Sequence, residues 1–175
     1  MDGDGWLDLL LNGDGGANGE ASSDIYRLYR NNHGVLEPYT VFNDYCQISV
    51  GDGARIVDWD NDGKLDIILT GWSASKARQA TMLFTGTSAT DFTFSESTLS
   101  KTDFPGVSES SIETADLNID AKIDLLITGF NGSQANQAGK YNRNICGYYI
   151  NQSVATNAKP SAQGHSQSAC FEPGR

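Results

Sequence analysis

Three aspartates, Asp8, Asp66 and Asp124, recur at one constant interval: 66 − 8 and 124 − 66 both equal 58. Each closes an acidic turn and opens an apolar run that stops at a glycine. The three copies are "DGDGWLDLLLNG" from Asp2, "DWDNDGKLDIILTG" from Asp58 and "DLNIDAKIDLLITG" from Asp116, with Gly13, Gly71 and Gly129 in phase. Such a period limits the fold more than any local propensity does. Each copy is one supersecondary unit that cannot bury its apolar face alone, so neighbouring copies must stack.

The turn itself poses a charge problem. Two carboxylates about 4 Å apart repel by roughly 4 kcal/mol at an effective dielectric near 20. A solvated acidic loop accounts for one such stretch, but not for three in register. A hard divalent cation relieves the repulsion, and calcium takes six to eight oxygen ligands at about 2.3–2.6 Å. The middle copy has the matching spacing: Asp58, Asp60 and Asp62 stand at alternate positions 1, 3 and 5. Gly63 allows a sharp turn at position 6, Lys64 offers its main-chain carbonyl at position 7, and Asp66 closes the loop at position 9. A helix-flanked EF-hand needs a bidentate Glu at position 12. Leu69 stands there, inside an apolar run, which excludes that motif.

The run "LDIILTG" is too short for a helix and ends at glycine, which marks a strand. "ARIVD" (54–58), "ATMLFTG" (80–86) and "DFTFSEST" (91–98) give three more, with "WSASKARQ" (72–79) as a polar connection. The first copy offers "DIYRLYRNN" (24–32) and "PYTVFND" (38–44), and the third "NICGYYINQ" (144–152). Four short strands in a unit of this size, repeated side by side, describe the blades of a β-propeller. The pattern D-x-[DN]-x-D-G-x-x-D followed by an apolar strand and T-G resembles the FG-GAP or VCBS repeat of integrin α-subunit heads and bacterial surface proteins. The resemblance covers residues 1–152 and implies an all-β fold of about three four-stranded blades (1–52, 53–110 and 111–152). These would belong to a larger six- to eight-bladed propeller, followed by a polar tail or linker at 153–175.

Carried onto this chain, the resemblance implies structural calcium in two loops. One set is Asp58, Asp60, Asp62, Lys64 (main chain) and Asp66; the other is Asp116, Asn118, Asp120, Lys122 (main chain) and Asp124. Ala121 stands where the family prefers glycine, so the third turn is expected to be strained or differently shaped. In the first copy Met1 already occupies position 2. Its site is therefore incomplete, with Asp2, Asp4, Trp6 (main chain) and Asp8 remaining.

At 175 residues the chain is one domain in length, but about ten strands are fewer than a closed propeller uses. A fragment of a longer propeller, or completion by self-association through open blade edges, is expected. The net charge of −10 comes largely from the loops, which hold ten of the 22 acidic residues. An acidic balance argues against nucleic acid and anionic membrane surfaces, and no apolar stretch reaches the ~20 residues of a membrane span. Cys46, Cys146 and Cys170 show no CxxC spacing. Cys46 and Cys146 are either buried small side chains or a disulfide.

No nucleophile–base arrangement or phosphate loop is legible, and His33 and His165 lie far apart. Trp72 and Phe130 follow the repeated glycine at equivalent positions, as packing between blades or as a stacking surface for a sugar or peptide. The expectation is a non-enzymatic recognition or adhesion scaffold, extracellular or at the cell surface, binding a protein or carbohydrate ligand. The alternative is the propeller scaffold of a polysaccharide lyase or hydrolase, with its chemistry on connections such as 72–79 and "FNGSQANQAGKYNRN" (130–144) or in further sequence.

Overall fold

The computed structural model describes residues 1–14, 24–39, 48–49, 53–73, 78–91, 93–97, 104–131, 143–151 and 162–165. Among these, twelve strands form three antiparallel sheets, and there is no helix. The first sheet is a meander of β1 (Leu9–Asp14), β2 (Asp24–Asn32) and β3 (Val35–Tyr39). Its β2–β3 hairpin turns through His33 and Gly34, with φ of 53° and 94°. Two successive positive φ values match the right-handed twist of the strands they join.

The second sheet joins β4 (Ile48–Ser49), β5 (Ala54–Val57), β6 (Asp66–Ser73), β7 (Arg78–Gly86) and β8 (Phe94–Glu96). Here β4 and β5 pair with the same strand, β6, at Ser73–Trp72 and at Leu69–Asp66 respectively. Together they act as one interrupted first strand of a four-stranded meander. The third sheet runs β9 (Ser108–Ala115), β10 (Asp124–Asn131), β11 (Arg143–Asn151) and β12 (Ala162–His165).

The repeated glycine now has a physical reason. Thr128 pairs with Ser111 and Phe130 with Ser108, so two residues of β9 oppose Gly129 alone. Glu109, in that bulge, has φ 47°. A Cβ on Gly129 would lie 2.9 Å from Ser108 O and from Ser110 Cβ. Bulges of this kind bend and twist a strand locally. In the second sheet the interruption between β4 and β5 falls opposite Thr70 and Gly71.

Alternation along the central strands places the core. Ile67, Leu69, Met82 and Phe84 form one buried cluster, against which Met1 and Leu10 of the first unit pack. Ile68 and Leu83 point the other way, into a cluster with Trp59, Phe104, Val107, Ile112, Leu125, Ile127 and Tyr149. The second sheet is thus buried on both faces, one against each neighbour. Threonine hydroxyls tie the second and third sheets where their backbones meet. Thr70 Oγ1 lies 2.7 Å from Thr81 Oγ1, accepts from Val107 N–H at 3.3 Å, and is 3.1 Å from Val107 O.

Several boundaries differ from the sequence expectation. The polar strand β9 begins at Ser108 and β4 lies at 48–49, so limits at 52/53 and 110/111 cut across the second and third sheets. The connection expected at 72–79 is strand at both ends, because β6 and β7 keep pairing out to Ser73 and Arg78; residues 74–77 lie outside the described ones. The strand expected at 38–44 is β3 at 35–39, with 40–44 outside the described residues. The stretch expected as tail contributes β12, which pairs with β11 from Tyr148 to Asn151 and supplies the third sheet with its fourth strand. Cys146 is a half-buried free thiol; Cys46, Cys170, most of 130–144 and the rest of the tail lie outside the described residues.

Candidate metal-binding loops

All three acidic turns are built on one backbone plan. Positions 4 and 6 both adopt left-handed φ: Gly3 (76°) and Gly5 (90°), Asn61 (56°) and Gly63 (82°), Ile119 (62°) and Ala121 (64°). The third turn therefore keeps the shape of the others, and Ala121 bears the strain that glycine would avoid. In the middle loop Asp58 at position 1 accepts from Asp62 N–H at 3.0 Å and Gly63 N–H at 2.9 Å. Asp116 does the same from Asp120 N–H at 3.1 Å and Ala121 N–H at 2.8 Å. At position 5, Asp62 and Asp120 accept the position-7 N–H of Lys64 and Lys122 at 2.9 and 3.0 Å. Asp4 accepts that of Trp6 at 2.8 Å.

The closing aspartate has a role that the motif alone does not reveal. Asp66 Oδ2 accepts from Trp59 N–H at 2.7 Å, and its Oδ1 from Gly86 N–H at 2.8 Å. Asp124 repeats this with Leu117 N–H and Asn151 N–H, both at 2.8 Å. Asp8 pairs with the amino group of Met1 and accepts from Asn31 N–H at 2.9 Å. In each copy, position 9 thus brackets position 2 of its own loop to the far end of the next strand of the sheet. The partners Asn31, Gly86 and Asn151 do not keep the 58-residue phase, since the intervening connections differ in length. Nothing in the sequence motif points to them.

The loops are also joined to the core and to each other. Trp59, at position 2, is fully buried and meets Phe104 edge-on at 5.9 Å. Its carbonyl accepts from Asn151 Nδ2 at 2.5 Å, and Asn61 Nδ2 donates to Ala121 O at 3.0 Å. Gly86 touches the loop so closely that a Cβ there would fall 2.5 Å from Leu65 O.

The middle loop gathers its charges most tightly. Asp58, Asp60 and Asp66 each bring one carboxylate oxygen within 4.8 Å of the others, and no other such trio occurs among the described residues. Burial pushes Asp66 up to about 6, with the charges of Asp60 and Asp62 adding to it and the Gly86 and Trp59 N–H bonds opposing. Burial likewise raises Asp60, reinforced by Asp62 and Asp58. Asp60 Oδ1 is buried without a hydrogen-bond partner. Asp62 turns instead to an ion pair with the Lys64 ammonium, and Lys122 Nζ stands 3.9 Å from Asp120 Oδ2 in the third loop. There Asn118 Oδ1 accepts from Asp120 N–H at 3.2 Å. In the first loop burial pushes Asp2 up, but the Asp4 N–H, Arg30 and the amino terminus outweigh it and hold its carboxyl low. Arg30 Nε is 2.7 Å from Asp2 Oδ2, so a side-chain cation meets charge there.

These observations fit a calcium ion in the middle loop. Two oxygens bound to one ion at about 2.4 Å cannot be more than about 4.8 Å apart. The Asp58–Asp60–Asp66 trio meets that limit, and the orphaned Asp60 oxygen lacks the partner that a cation would be.

Comparison with known proteins gives the family. The model of the FG-GAP-like repeat matches residues 1–69 and again 58–127, two spans whose ends, 69 and 127, are one period apart. The chain belongs to the FG-GAP-like repeat family, whose repeats are propeller blades; its three antiparallel sheets are blades of this type. No curated protein and no solved structure matches it.

Proposed function

We propose that this chain is a calcium-binding β-propeller repeat module serving as a recognition or adhesion scaffold, extracellular or at the cell surface, for a protein or carbohydrate ligand. The observation that carries the calcium assignment is the Asp58–Asp60–Asp66 convergence around an unpartnered oxygen. The ion's role is structural. Its loop is pinned to two strands of the same blade by Asp66 and to the core by Trp59, so binding couples directly to folding. The carboxylates spend their hydrogen bonds on backbone N–H groups in a plan repeated three times, which suits a scaffold better than acid–base catalysis. Millimolar calcium outside the cell would fill such low-affinity exposed loops.

The test is thermal melting during a calcium titration, with magnesium and a chelator as references. Calcium should raise the melting temperature, and Asp62→Ala and Asp120→Ala should each remove part of that gain. An unchanged melting temperature up to millimolar calcium would sink the assignment. For the ligand, a glycan array and incubation with polysaccharides separate two outcomes. Retention without turnover supports a binding module, whereas release of shortened product supports the enzyme-scaffold alternative.

A further inference from the structure

The closing aspartates of the middle and third loops are joined by a chain of buried hydrogen bonds. Asp124 Oδ1 accepts from Asn151 N–H at 2.8 Å, and Asn151 Nδ2 donates to Trp59 O at 2.5 Å. Trp59 N–H in turn donates to Asp66 Oδ2 at 2.7 Å. The Trp59 carbonyl shares a rigid peptide plane with the Asp60 N–H, so holding that carbonyl fixes where the Asp60 side chain begins. Asp60 is the residue whose Oδ1 lacks a partner. A second, exposed bridge runs alongside: Asn61 Nδ2, from position 4 of the middle loop, reaches the position-6 carbonyl of Ala121 at 3.0 Å.

Neither bridge is a necessity of the repeat. Gly86 takes the place of Asn151 in the middle sheet; its N–H meets Asp66 Oδ1, but it has no side chain to reach a neighbouring loop. Asn31 holds that place in the first sheet, and its side chain stays within its own unit. There it donates to Leu7 O at 2.9 Å and accepts from Gly34 N–H at 2.7 Å. In the first loop Gly3 stands where Asn61 does in the middle one. The two glycines offer no such link between the first and middle loops.

We propose that the middle and third loops bind calcium as a coupled pair, each ion raising the affinity of the other loop, with Asn151 and Asn61 as the positioning residues that link them. The coupling rests on the calcium reading of both loops. An ion in the third loop fixes Asp124 and the turn around it. Through Asn151 that order passes to the Trp59–Asp60 peptide, so an ion entering the middle loop has less left to order. By linkage the coupling factor is the same in both directions.

Isothermal titration of the full chain with calcium, starting from chelator-stripped protein, tests it. The wild type should fill the two loops with positive cooperativity. With the third loop disabled by Asp120→Ala, the middle loop should bind about fivefold more weakly than it does beside a filled third loop. Asn151→Ala and Asn61→Gly keep every loop carboxylate and should each reduce the cooperativity. Asn151→Ala strips a buried carbonyl of its donor, so circular dichroism in chelator checks its fold. Asn61→Gly installs the residue that the first loop already uses, and it decides the matter if the other variant does not fold. A purely structural role would lower the melting temperature in chelator and leave the cooperativity unchanged, which counts against the proposal. Independent binding by the wild type, uptake at one loop only, or undiminished cooperativity in the folded variants would each overturn the coupling and leave the calcium reading standing. No calcium uptake at all would reject both.

Discussion

Ile119 is the residue at which this chain departs furthest from its own pattern. It holds φ 62° at position 4 of the third loop, is β-branched, and is 91% exposed. A left-handed conformation costs an L-residue about 1–2 kcal/mol, and here no packing offsets it. Ile119→Asn is therefore expected to stabilise the protein by about 1 kcal/mol, since Asn tolerates this conformation; urea denaturation would show it, and an unchanged or lower midpoint would contradict it. Titration belongs to this scale as well. The Asp66 carboxyl moves from 3.8 to about 6 on folding, so in the metal-free protein the folded state holds its proton more tightly. Stability is then lost as pH rises between those values, and the deficit is complete above about 6. Asp60 is shifted in the same direction. Calcium needs the deprotonated form, so its stabilising effect should be larger at pH 7 than at pH 5. An equal or larger effect at pH 5, measured as the calcium-induced rise in melting temperature, would remove Asp66 from the ligand set. Asp58, Asp60 and Gly63 were legible from spacing because they act within nine residues. The second duty of Asp66 was not, because its Gly86 partner comes from the end of another strand.

At the scale of elements, apolar runs that stop at glycine were enough to identify β6 and β7, and alternation over 91–98 identified β8. What they missed is instructive. The strand β9, "SESSIETA", carries one buried apolar residue, Ile112, among serines and glutamates, so no hydrophobic period marks it. It forms because β10 presents a free edge beside it and because Val107 and Ser108 are anchored to the Thr70 hydroxyl and the Phe130 carbonyl. β12 was missed for a similar reason: "AQGH" has no pattern of its own and pairs with an edge that β11 supplies. Contact between loop and strand gives a prediction at this scale. A Cβ at Gly86 would meet Leu65 O at 2.5 Å and Lys64 Cβ at 3.3 Å. Gly86→Ala should push the middle loop off the end of β7, cost about 1–3 kcal/mol by overpacking, and weaken the calcium response with every loop carboxylate still in place. If isothermal titration gave the substituted protein an undiminished calcium affinity, the coupling between β7 and the loop would be refuted.

For the molecule as a whole, the period was the readable quantity, and it led directly to stacked sheets. The 58-residue phase holds through the acidic turn and the strand that follows, then fails at the end of the next strand, where Asn31, Gly86 and Asn151 fall out of step. Packing of one sheet on the next conserves the first part, while nothing in that packing restrains the length of the later connections. An ion bound only by the folded state would stabilise it by about 2.7 kcal/mol at a concentration 100 times its dissociation constant. That is a large share of the ~5–15 kcal/mol holding a typical domain together. Chelation is therefore expected to shift unfolding of the entire stack, in a single transition followed equally by tryptophan fluorescence and by far-ultraviolet circular dichroism. Separate transitions by the two probes would mean that the sheets unfold independently.

Identical phasing of inward and outward side chains in successive sheets bears on how genes for such chains change length. Removing Leu9 through Asp66 would splice Asp8 directly onto Ile67, and the aspartate at the splice would inherit the bracket that Asp66 formed. Ile68 and Leu83 would still face Leu125 and Ile127, although Trp59, β4 and β5 would be lost with the deleted stretch. Loss of an odd number of residues within β6 would instead turn its buried side chains toward the wrong neighbour. Recombination between copies should thus be far better tolerated than small insertions or deletions inside one, so descendants of this chain are expected to differ by whole sheets.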